Sequence, residues 1–456
     1  MGIFDRFFPP QKKAAKVVNP QSVIYSNLPI YGADSPKNNI DRGYLGADDV
    51  YSIIRRIART AAMVPLQVYK VKNDNALKEY EYQSKQHNHT TQSLLKKQLL
   101  KIKALEMVNE NHPLQKLLDF PNTHTSKTEF REGVYTFRLA TGNTYIYAPP
   151  LDLGVNAGKP IEMHLMPSQC TTPVATRTFP QSITGYQMNM NGIIPFSVDE
   201  VLHLKYFNPN FTTAGDELVG LSPLRAGAKI LTRQQSEVDY AVSSFQNNGA
   251  RGIITREDYE DSTDPNIGKM KADYYAETAG TNNAQKLFFT AGKWQYLDIG
   301  LSPVDMNLLQ SEIKTFKRLC NLYGVSDILF NNGDAATESN VKEMIKQLYT
   351  NAALPEVYAF RDLINNSLTA KYNDKGGKYF VDCDITGISE LQDDMKAMAE
   401  IFSTLPIMVP NLILEAFNYG KMDDPMMDKV YVKTGYTDIE SLNAVNDLPT
   451  ITPNGN

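Results

Sequence analysis

The stretch GLSPLRAGAKILTRQQSEVDYAVSSFQNNGARG, residues 220–252, decides how the rest of the chain is organised. It predicts one helix of about 25 residues, which at a rise of about 1.5 Å per residue is about 37 Å long. Ser222 is a good N-cap, Pro223 fits the first turn, and Asn247-Asn248-Gly249 ends the helix. Its regular apolar positions are few and stand seven residues apart: Leu224, Leu231, Val238 and Phe245. The helix is therefore long and carries only a narrow apolar seam.

A seam with a period of seven is covered by one neighbouring helix and does not need a whole core. The remaining positions must meet water or other polar groups, and they include Lys229, Arg233, Gln234, Gln235, Glu237 and Asp239. A second helix, predicted over residues 302–322, also opens with Ser-Pro. Two such helices suit the wall of a ring that surrounds an aqueous lumen. The alternative is an ordinary amphipathic helix on a monomer.

The segment between these two helices predicts a small α/β unit. A strand at 252–255 comes first, a polar helix follows near 267–279, and a hairpin then turns at Ala291-Gly292. Because each end of this unit leads into a helix, we expect it to lie at the tip of a helical hairpin.

Residues 46–215 predict a mixed α/β unit, preceded at 1–45 by a mobile arm rich in Pro, Asn, Lys and Gly. The run ADDVYSIIRRIARTAAMV predicts a helix with one apolar face, and PLQVYKV predicts a strand after it. Next, QSLLKKQLLKIKALEMV predicts a basic amphipathic helix. We expect an inserted surface helix whose lysines face water. The alternative is a helix that lies on an anionic membrane or partner.

The chain after residue 323 begins with a loop rich in Gly, Asn and Asp at 324–338. A long helix then covers about 340–372 and is expected to bend at Pro355. A further helical region at 388–418 ends in an irregular tail from about Gly420. Together with the first half of the chain, this order of elements predicts an α+β protein.

The composition of the 456-residue chain excludes several classes of function. Lysine and arginine number 46 and the acidic residues 51, so the formal net charge is −5. This charge argues against sequence-independent nucleic-acid binding over the whole surface. The cysteines, Cys170, Cys320 and Cys383, are far apart, as in a reducing compartment. No apolar run suits a signal peptide or a membrane span, so we expect synthesis in a cytoplasm and no membrane partner.

Motifs that carry chemistry are missing from the sequence. It contains no HExxH, GxSxG, GxGxxG or GxxxxGK[ST] pattern. His87 and His89 have no Cys or carboxylate at ligand spacing, and we expect them to be solvated. The paired acids Asp48-Asp49, Asp393-Asp394 and Asp423-Asp424 stand at helix starts or turns, where acids are common. We therefore expect no catalytic residue, metal or cofactor, and no enzymatic activity.

Ten segments follow one another in an order that is more specific than any one of them. They are VYSIIRRIARTAAMVPLQVYK, HPLQKLLDFPN, TGNTYIY, VLHLKYF, GLSPLRAGAKI, FQNNGARGIIT, LDIGLSPVDM, LYGVSDILF, ATESNVKEMIKQLYTNAALPEVYAFRDLINNSL and DDMKAMAEIFSTL. This set spans about residues 46–418 and resembles the portal proteins of tailed double-stranded DNA bacteriophages, especially the siphophage type. The chain departs from that family in the basic insert at 84–106 and at Ser326-Asp327, where the family often has proline.

The resemblance implies a portal fold that assembles as a ring of about twelve subunits at one vertex of a capsid. The parts it implies are a wing (46–215 and 339–386), stem helices (216–248 and 301–323), a clip (249–300), a tunnel loop (324–338), and a helical crown with the C-terminal tail (387–456). Such a ring conducts double-stranded DNA during packaging and ejection. Its clip docks the terminase large subunit and later the head–tail adaptor.

The resemblance also implies which residues meet these partners. The tunnel-loop residues nearest to DNA would be Phe330, Asn331, Asn332 and Asp334; alternatively, Ile328, Leu329 and Phe330 are packed and only 331–334 reach the lumen. Candidate motor contacts in the clip are Arg251, Arg256, Lys269, Lys271 and Lys286. The capsid protein or a scaffold is a further implied partner, and the virion is the implied location. The rival interpretation is a ring-forming or monomeric structural adaptor that does not conduct DNA.

Overall fold

A computed structural model describes residues 35–85, 91–109, 111–154, 156–176, 182–210, 216–246, 252–256, 294–298, 308–330, 338–373, 377–385, 387–391, 396, 399–400, 402–417, 421–432 and 437–438. The chain forms two compact units. The smaller lies within Ala228–Thr315, and the larger combines Asp34–Gly227 with Phe316–Asn456.

Helices and short antiparallel sheets are both present, which confirms the predicted α+β class. The main helices are α1 (Asp48–Met63), α2 (Asp74–Lys85), α3 (Thr91–Ala104), α4 (Pro113–Asp119), α5 (Lys127–Thr141), α6 (Pro223–Ala226), α7 (Ala228–Gln246), α8 (Leu308–Leu322), α9 (Glu338–Gln347), α10 (Leu354–Ser367), α11 (Thr369–Tyr372) and α12 (Pro410–Ala416).

The strands are β1 (Leu66–Val71), β2 (Leu105–Met107), β3 (Asn143–Tyr147), β4 (His164–Met166), β5 (Thr171–Ala175), β6 (Ile183–Asn189), β7 (Ile193–Phe196), β8 (Val201–Lys205), β9 (Gly252–Arg256), β10 (Trp294–Asp298), β11 (Tyr379–Cys383), β12 (Ile407–Met408), β13 (Tyr431–Val432) and β14 (Thr437–Asp438). They pair in the orders β11-β1-β2, β4-β3-β8, β5-β6-β7, β12-β13-β14 and β10-β9.

Helices α1 and α5 pack on each other at the centre of the larger unit. Ser126 begins α5 by accepting a hydrogen bond from the Glu129 N–H, and Gly142 ends it with a positive φ of 81°. The buried face of α1 has apolar side chains at helical spacing: Val50, Ile53, Ile54, Ile57, Ala58, Ala61 and Ala62. The small alanines leave room for neighbouring helices, so one amphipathic pattern builds much of this core.

The β11-β1-β2 sheet joins the two halves of the sequence. β1 pairs with both other strands, and Val68 lies opposite Val381. Asn365 on α10 holds β11 in place, because its side chain donates to the Val381 carbonyl at 2.8 Å and accepts from the Val381 N–H at 2.7 Å. A strand from the C-terminal half thus completes a sheet that the N-terminal half begins.

A buried carboxylate, Asp382 on β11, connects α2, α3 and α10 to this sheet. It accepts hydrogen bonds from Lys101 Nζ at 2.9 Å, Arg361 Nη1 at 3.2 Å and Tyr80 OH at 2.7 Å. Burial by itself raises the pKa of Asp382, but Lys101 and Arg361 outweigh burial and hold that pKa below its ordinary value. The carboxylate therefore stays ionised and supplies a counter-charge to Lys101 and to Arg361, which also pairs with Asp362 at 2.8 Å.

This network corrects the prediction for the basic insert at 84–106. Lys96 lies on the surface beside Glu79, as expected, but Lys101 is only 19% exposed and contacts Asp382. The end of the predicted helix is instead β2, which pairs with β1. The insert is therefore part of the folded core, because its lysine neutralises an acid that stands far along the chain.

The predicted mobile arm and irregular tail both contain regular structure. Within the arm, helical turns cover Pro36–Asn38 and Asn39–Tyr44, and Asn39 is buried. Residues 1–34 lie outside the described part of the chain. In the tail, β13 pairs with β12 and with β14. Such short elements escape prediction because they are too brief to show a hydrophobic period.

The helix predicted over 340–372 is present as α9, α10 and α11. A π-helical turn at Leu348–Ala353 interrupts it just before Pro355. Proline has no N–H and its ring crowds the carbonyl four residues earlier, so the preceding backbone widens. The Leu354 N–H accordingly bonds to the Tyr349 carbonyl, five residues back. The helix is interrupted beside Pro355, as the sequence predicts, and the interruption takes the form of a π-helical turn.

Candidate functional site

The chain approaches α6 through a close contact between two glycines, which we call the glycine crossing (Gly142, Asn143, Gly220 and Ser222). A methyl group on Gly220 would lie 2.1 Å from the Gly142 carbonyl oxygen. A methyl group on Gly142 would lie 2.6 Å from the carbonyl carbon of Leu221. Because both neighbours are backbone atoms that cannot move aside, neither position accepts a side chain.

Two polar side chains hold the glycine crossing. Asn143 accepts from the Gly220 N–H at 2.6 Å through Oδ1 and donates to the Gly220 carbonyl at 3.1 Å through Nδ2. Ser222 Oγ donates to the Ala140 carbonyl at 2.7 Å and accepts from the Leu224 N–H at 3.1 Å. The predicted N-cap is confirmed. Its second bond attaches the start of α6 to the end of α5.

His203 on β8 supports Asn143 from the other side. Its Nε2 lies 3.0 Å from Asn143 Oδ1, and because Oδ1 is an acceptor, that nitrogen carries the proton. The imidazole stacks on the Tyr145 ring at a centroid distance of 4.4 Å. Burial, reinforced by the nearby charge of Lys205, lowers the pKa of His203 to about 3. The ring is therefore neutral at neutral pH.

We expect this histidine to make the larger unit sensitive to mild acid. Between its ordinary pKa of 6.5 and the folded value of about 3, the unfolded chain binds a proton that the folded chain does not. The free energy of unfolding is therefore unaffected by this histidine above about pH 6.5. It decreases by about 2 kcal/mol on acidification to about pH 5. His203→Gln should flatten the dependence of the unfolding temperature on pH, whereas His124→Gln, at an exposed site, should not. Equal slopes for wild type and His203→Gln would contradict this expectation.

In the smaller unit, α7 and α8 meet through the polar clamp (Arg233, Glu237, Ser311 and Thr315). Glu237 accepts from Arg233 Nε at 2.8 Å, from Thr315 Oγ1 at 3.4 Å and from Ser311 Oγ. Arg233 also donates to Ser311. Glu237 and Thr315 are buried, so their partners must stand at matching heights on the two helices. The polar clamp therefore sets the register of the pair.

The residues of the predicted apolar seam differ in how far they are buried. Leu224 and Leu231 are buried, but Val238 is half-exposed, and the side chain of Phe245 lies outside the described residues. The predicted single helix is divided at Gly227, which separates α6 from α7. Within one chain, α7 therefore contacts α8 through the polar clamp, whose residues on α7 lie on the same helix as the apolar seam. Sequence inspection identified Glu237 as polar but could not find Ser311 and Thr315 as its partners.

α8 ends in a Schellman motif that sets the direction of the following segment. Gly324 has a φ of 68°, and its N–H donates to the Asn321 carbonyl at 3.2 Å. The Val325 N–H donates to the Cys320 carbonyl at 3.0 Å, which completes the motif. The chain therefore leaves α8 in one defined direction.

Replacing Gly324 with alanine should cost about 1–2 kcal/mol, because a left-handed backbone crowds a Cβ atom. No steric clash adds to this cost, since the new methyl group would approach only the Asn351 carbonyl, at 3.9 Å. Gly324→Asn should cost less, because asparagine tolerates this conformation. Thermal unfolding of the two variants tests the argument. Equal destabilisation by Ala and Asn would show that backbone conformation is not the cause.

Ser326 and Asp327, where the chain departs from the usual proline, form a short capped turn after α8. Ser326 caps the 3-10 turn, and Asp327 pairs with Lys317 at 3.4 Å. Phe330 follows, half-buried, and its ring packs edge-on against Phe316 at a centroid distance of 5.6 Å. Phe330 is thus packed, as in the alternative prediction, but Ile328, which that alternative also packs, is 39% exposed. The other predicted loop residues lie outside the described part: Asn331, Asn332 and Asp334.

Of the clip candidates, Arg256 lies in a described strand. Arg256 ends β9 opposite Trp294 of β10, with its side chain outside the description. The other candidates are outside the described residues altogether: Arg251, Lys269, Lys271 and Lys286. The predicted strand at 252–255 is present, while the helix predicted near 267–279 also lies outside.

Two further features are absent from the residues that the structure describes. Among them, no three His, Cys, Asp or Glu side chains are grouped so as to hold a metal ion. None of the helices in this part of the chain combines the length and apolarity needed to cross a bilayer. The glycine crossing, the polar clamp and the capped turn are contacts that fix the positions of backbone segments and helices.

Comparison with known proteins supplies a family and a fold. A family model described as phage portal protein matches residues 95–416. An uncharacterized protein of Rickettsia bellii (strain RML369-C) is 28% identical over 310 residues, which are 66% of this chain and 76% of that protein. The neck of an empty gene transfer agent particle, computed with C6 symmetry, matches with a TM-score of 0.56 and 20% identity over 86% of this chain and 96% of that one. The neck of the native particle, computed with C12 symmetry, matches with a TM-score of 0.54 and 19% identity over 86% and 97%.

Proposed function

The chain belongs to the phage portal protein family, and on this premise we propose that its copies form a closed ring through which double-stranded DNA enters and leaves a capsid. The family match carries this proposal, because it runs from residue 95 to 416 and includes both α7 and α8. A channel wall must keep its shape while a stiff duplex moves past it. The polar clamp supports such a wall by fixing the register of the helix pair.

We assign the parts of the ring as the resemblance implies. The wing comprises 46–215 and 339–386, the stem 216–248 and 301–323, the clip 249–300, the tunnel loop 324–338, and the crown and tail 387–456. The pairing of β11 with β1 supports a wing drawn from both halves of the chain. The similarity to a neck computed with C12 symmetry supports a ring of about twelve copies.

The composition of the segment after α8 supports a channel that binds DNA only weakly. The run ILFNNGDAATES, residues 328–339, contains no lysine or arginine. Cationic contacts to phosphates would add salt-dependent affinity and slow the passage of the duplex. We place Asn331, Asn332 and Asp334 nearest to the DNA. Phe330, which packs on Phe316, anchors the loop.

The partners of this ring follow from its place at a capsid vertex. The clip, with the basic candidates named above, would dock the terminase large subunit during packaging and the head–tail adaptor afterwards. The wing would contact the capsid protein or its scaffold. The chain would be made in the bacterial cytoplasm and carried in the virion, and its role requires neither a cofactor nor catalysis by the chain itself.

Native mass spectrometry of the purified chain, with negative-stain imaging of any large species, tests the ring. The expected result is a closed assembly of about twelve chains, with a central hole that admits duplex DNA. A closed ring too narrow for a duplex would favour the adaptor interpretation. A chain that stays monomeric when its capsid protein is added would refute the ring.

Lengthening the tunnel loop tests DNA conduction directly. Four Gly and Ser residues inserted after Asn332 should leave ring assembly unchanged and remove most of the DNA that particles protect from nuclease. The same insertion after Leu153, a highly exposed position in the wing, is the matched control and should package normally. Normal packaging with the longer tunnel loop would rule out this placement of 331–334.

A further inference from the structure

The hairpin that joins β6 to β7 carries an Asn-Gly dipeptide at its tip. Asn189 and Ile193 form the last pair of the ladder, and Met190, Asn191 and Gly192 connect them as an exposed bend. Asn-Gly is common in hairpins because both residues tolerate a positive φ, and Gly192 has a φ of 148°. Glycine has no side chain to shield its backbone nitrogen, so this nitrogen is also the least hindered one for an attack on the preceding asparagine.

The two groups that would react are unprotected. Within the part of the chain that the structure describes, no hydrogen bond involves the Gly192 N–H or the Asn191 side-chain amide. A methyl group built on Gly192 would have no atom within 4 Å, so the space beside this backbone is open. Asn189 in the same hairpin is different. The side chain of Met190 crowds the nitrogen that follows it, and the Asn189 N–H is fixed by the Cys170 carbonyl at 2.8 Å.

We propose that Asn191 is a site of spontaneous deamidation. The backbone nitrogen of Gly192 attacks Cγ of Asn191, and the new N–Cγ bond closes a succinimide ring. The Cγ–Nδ2 bond breaks, and Nδ2 leaves as ammonia with the proton from the Gly192 N–H. Water then opens the ring at either carbonyl, which leaves aspartate or isoaspartate at position 191. The net change consumes one water and releases one ammonia, so the reaction requires no catalyst, cofactor or oxidant.

The product differs from Asn191 in charge and in backbone length. Both products carry a carboxylate, and isoaspartate adds a methylene carbon to the main chain. The carboxylate arises between two exposed apolar side chains, because Met190 is 60% exposed and Ile193 is 67% exposed. Since burying an unpaired charge is costly, the modified tip can no longer be covered by an apolar surface. This inference does not depend on the proposed ring, because each chain carries both reacting groups.

Peptide mapping of protein kept in mildly alkaline buffer tests the site. Trypsin releases residues 178–205, which contain both Asn189 and Asn191. The mass of this peptide should rise by the difference between O and NH, and its fragments should place the change at Asn191 and not at Asn189. The folded chain should react within about tenfold of the rate of the urea-unfolded chain, because the hairpin does not shield the groups. A folded chain that keeps its amide while the unfolded chain reacts would overturn the proposal, as would an absence of reaction in both.

Labelling of isoaspartate gives a second measurement. An isoaspartate-specific carboxyl methyltransferase with labelled S-adenosylmethionine should label peptide 178–205 of aged wild type and not of aged Asn191→Gln, whose longer side chain closes the ring far more slowly. Freshly purified Asn191→Asp is the matched control for charge, and its peptide should stay unlabelled. The label must be assigned by peptide, because the sequence has further Asn-Gly pairs, which lie outside the described residues: 248–249, 332–333 and 454–455. Label confined to those other peptides would rule out Asn191 as the site.

Discussion

Gly220→Ala will prevent the larger unit from folding stably. The new methyl group would lie 2.1 Å from the Gly142 carbonyl oxygen and 2.9 Å from the Tyr206 nitrogen. Both atoms belong to backbone that is held by hydrogen bonds, so the crossing must open to accommodate the change. We expect a loss of more than about 4 kcal/mol, the range of the most disruptive single substitutions. In cells this would appear as insoluble or degraded protein.

The matched control is Gly387→Ala. Gly387 has no atom within 4 Å of the position that a methyl group would take, and its φ lies outside the left-handed region. Alanine there should change stability by less than about 0.5 kcal/mol. Far-UV circular dichroism is the suitable readout, because the only tryptophan of the chain, Trp294, lies in the smaller unit. A soluble Gly220→Ala variant with wild-type thermal unfolding would show that the two backbone segments are not in contact.

Asp382→Asn should cost about 3–5 kcal/mol, because it leaves the largely buried Lys101 without its counter-charge and Arg361 with Asp362 as its remaining carboxylate partner. Lys101 would face a neutral amide, while Arg361 would keep its pair with Asp362, whose side chain is 55% exposed. The amide can still bond to Tyr80, so the expected loss comes mainly from charge and not from packing. Thermal unfolding followed by far-UV circular dichroism measures it.

A surface pair of the same length provides the control for that loss. Asp74 and Lys378 also lie 2.9 Å apart, but their side chains are 56% and 63% exposed. Asp74→Asn should therefore cost less than about 1 kcal/mol. Adding Lys101→Met to Asp382→Asn should recover part of the larger loss by removing the uncompensated charge. Equal effects of the two asparagine substitutions would mean that burial does not strengthen the Asp382 network.

Sequence patterns predicted well those helices and strands whose apolar residues recur with a regular period. The apolar face of α1 and the strand β1 both appear where the residues predict them. The family resemblance, which rests on an ordered set of such segments, is confirmed by the family match over 95–416. Periodicity and capping depend on residues a few positions apart, so a single sequence displays them directly.

The candidate site was predictable only in part. Ser222 was identifiable as an N-cap from its neighbours, and the seam as a seven-residue repeat, but the sequence does not show that Val238 remains half-exposed. The tunnel-loop and clip residues stay predictions. Exposure depends on what the rest of the chain brings near a helix, and an amphipathic pattern does not contain that information.

The sequence by itself determined the class of the fold, the main helices and the family to which the chain belongs. Only the tertiary structure decided the partners: Lys101 for Asp382, Ser311 for Glu237, and the Gly220 backbone for Asn143. Each of these pairs joins residues far apart in the sequence. A charge or an amide requires a partner when it is buried but does not specify which one, because that choice depends on where the folded backbone places the two groups.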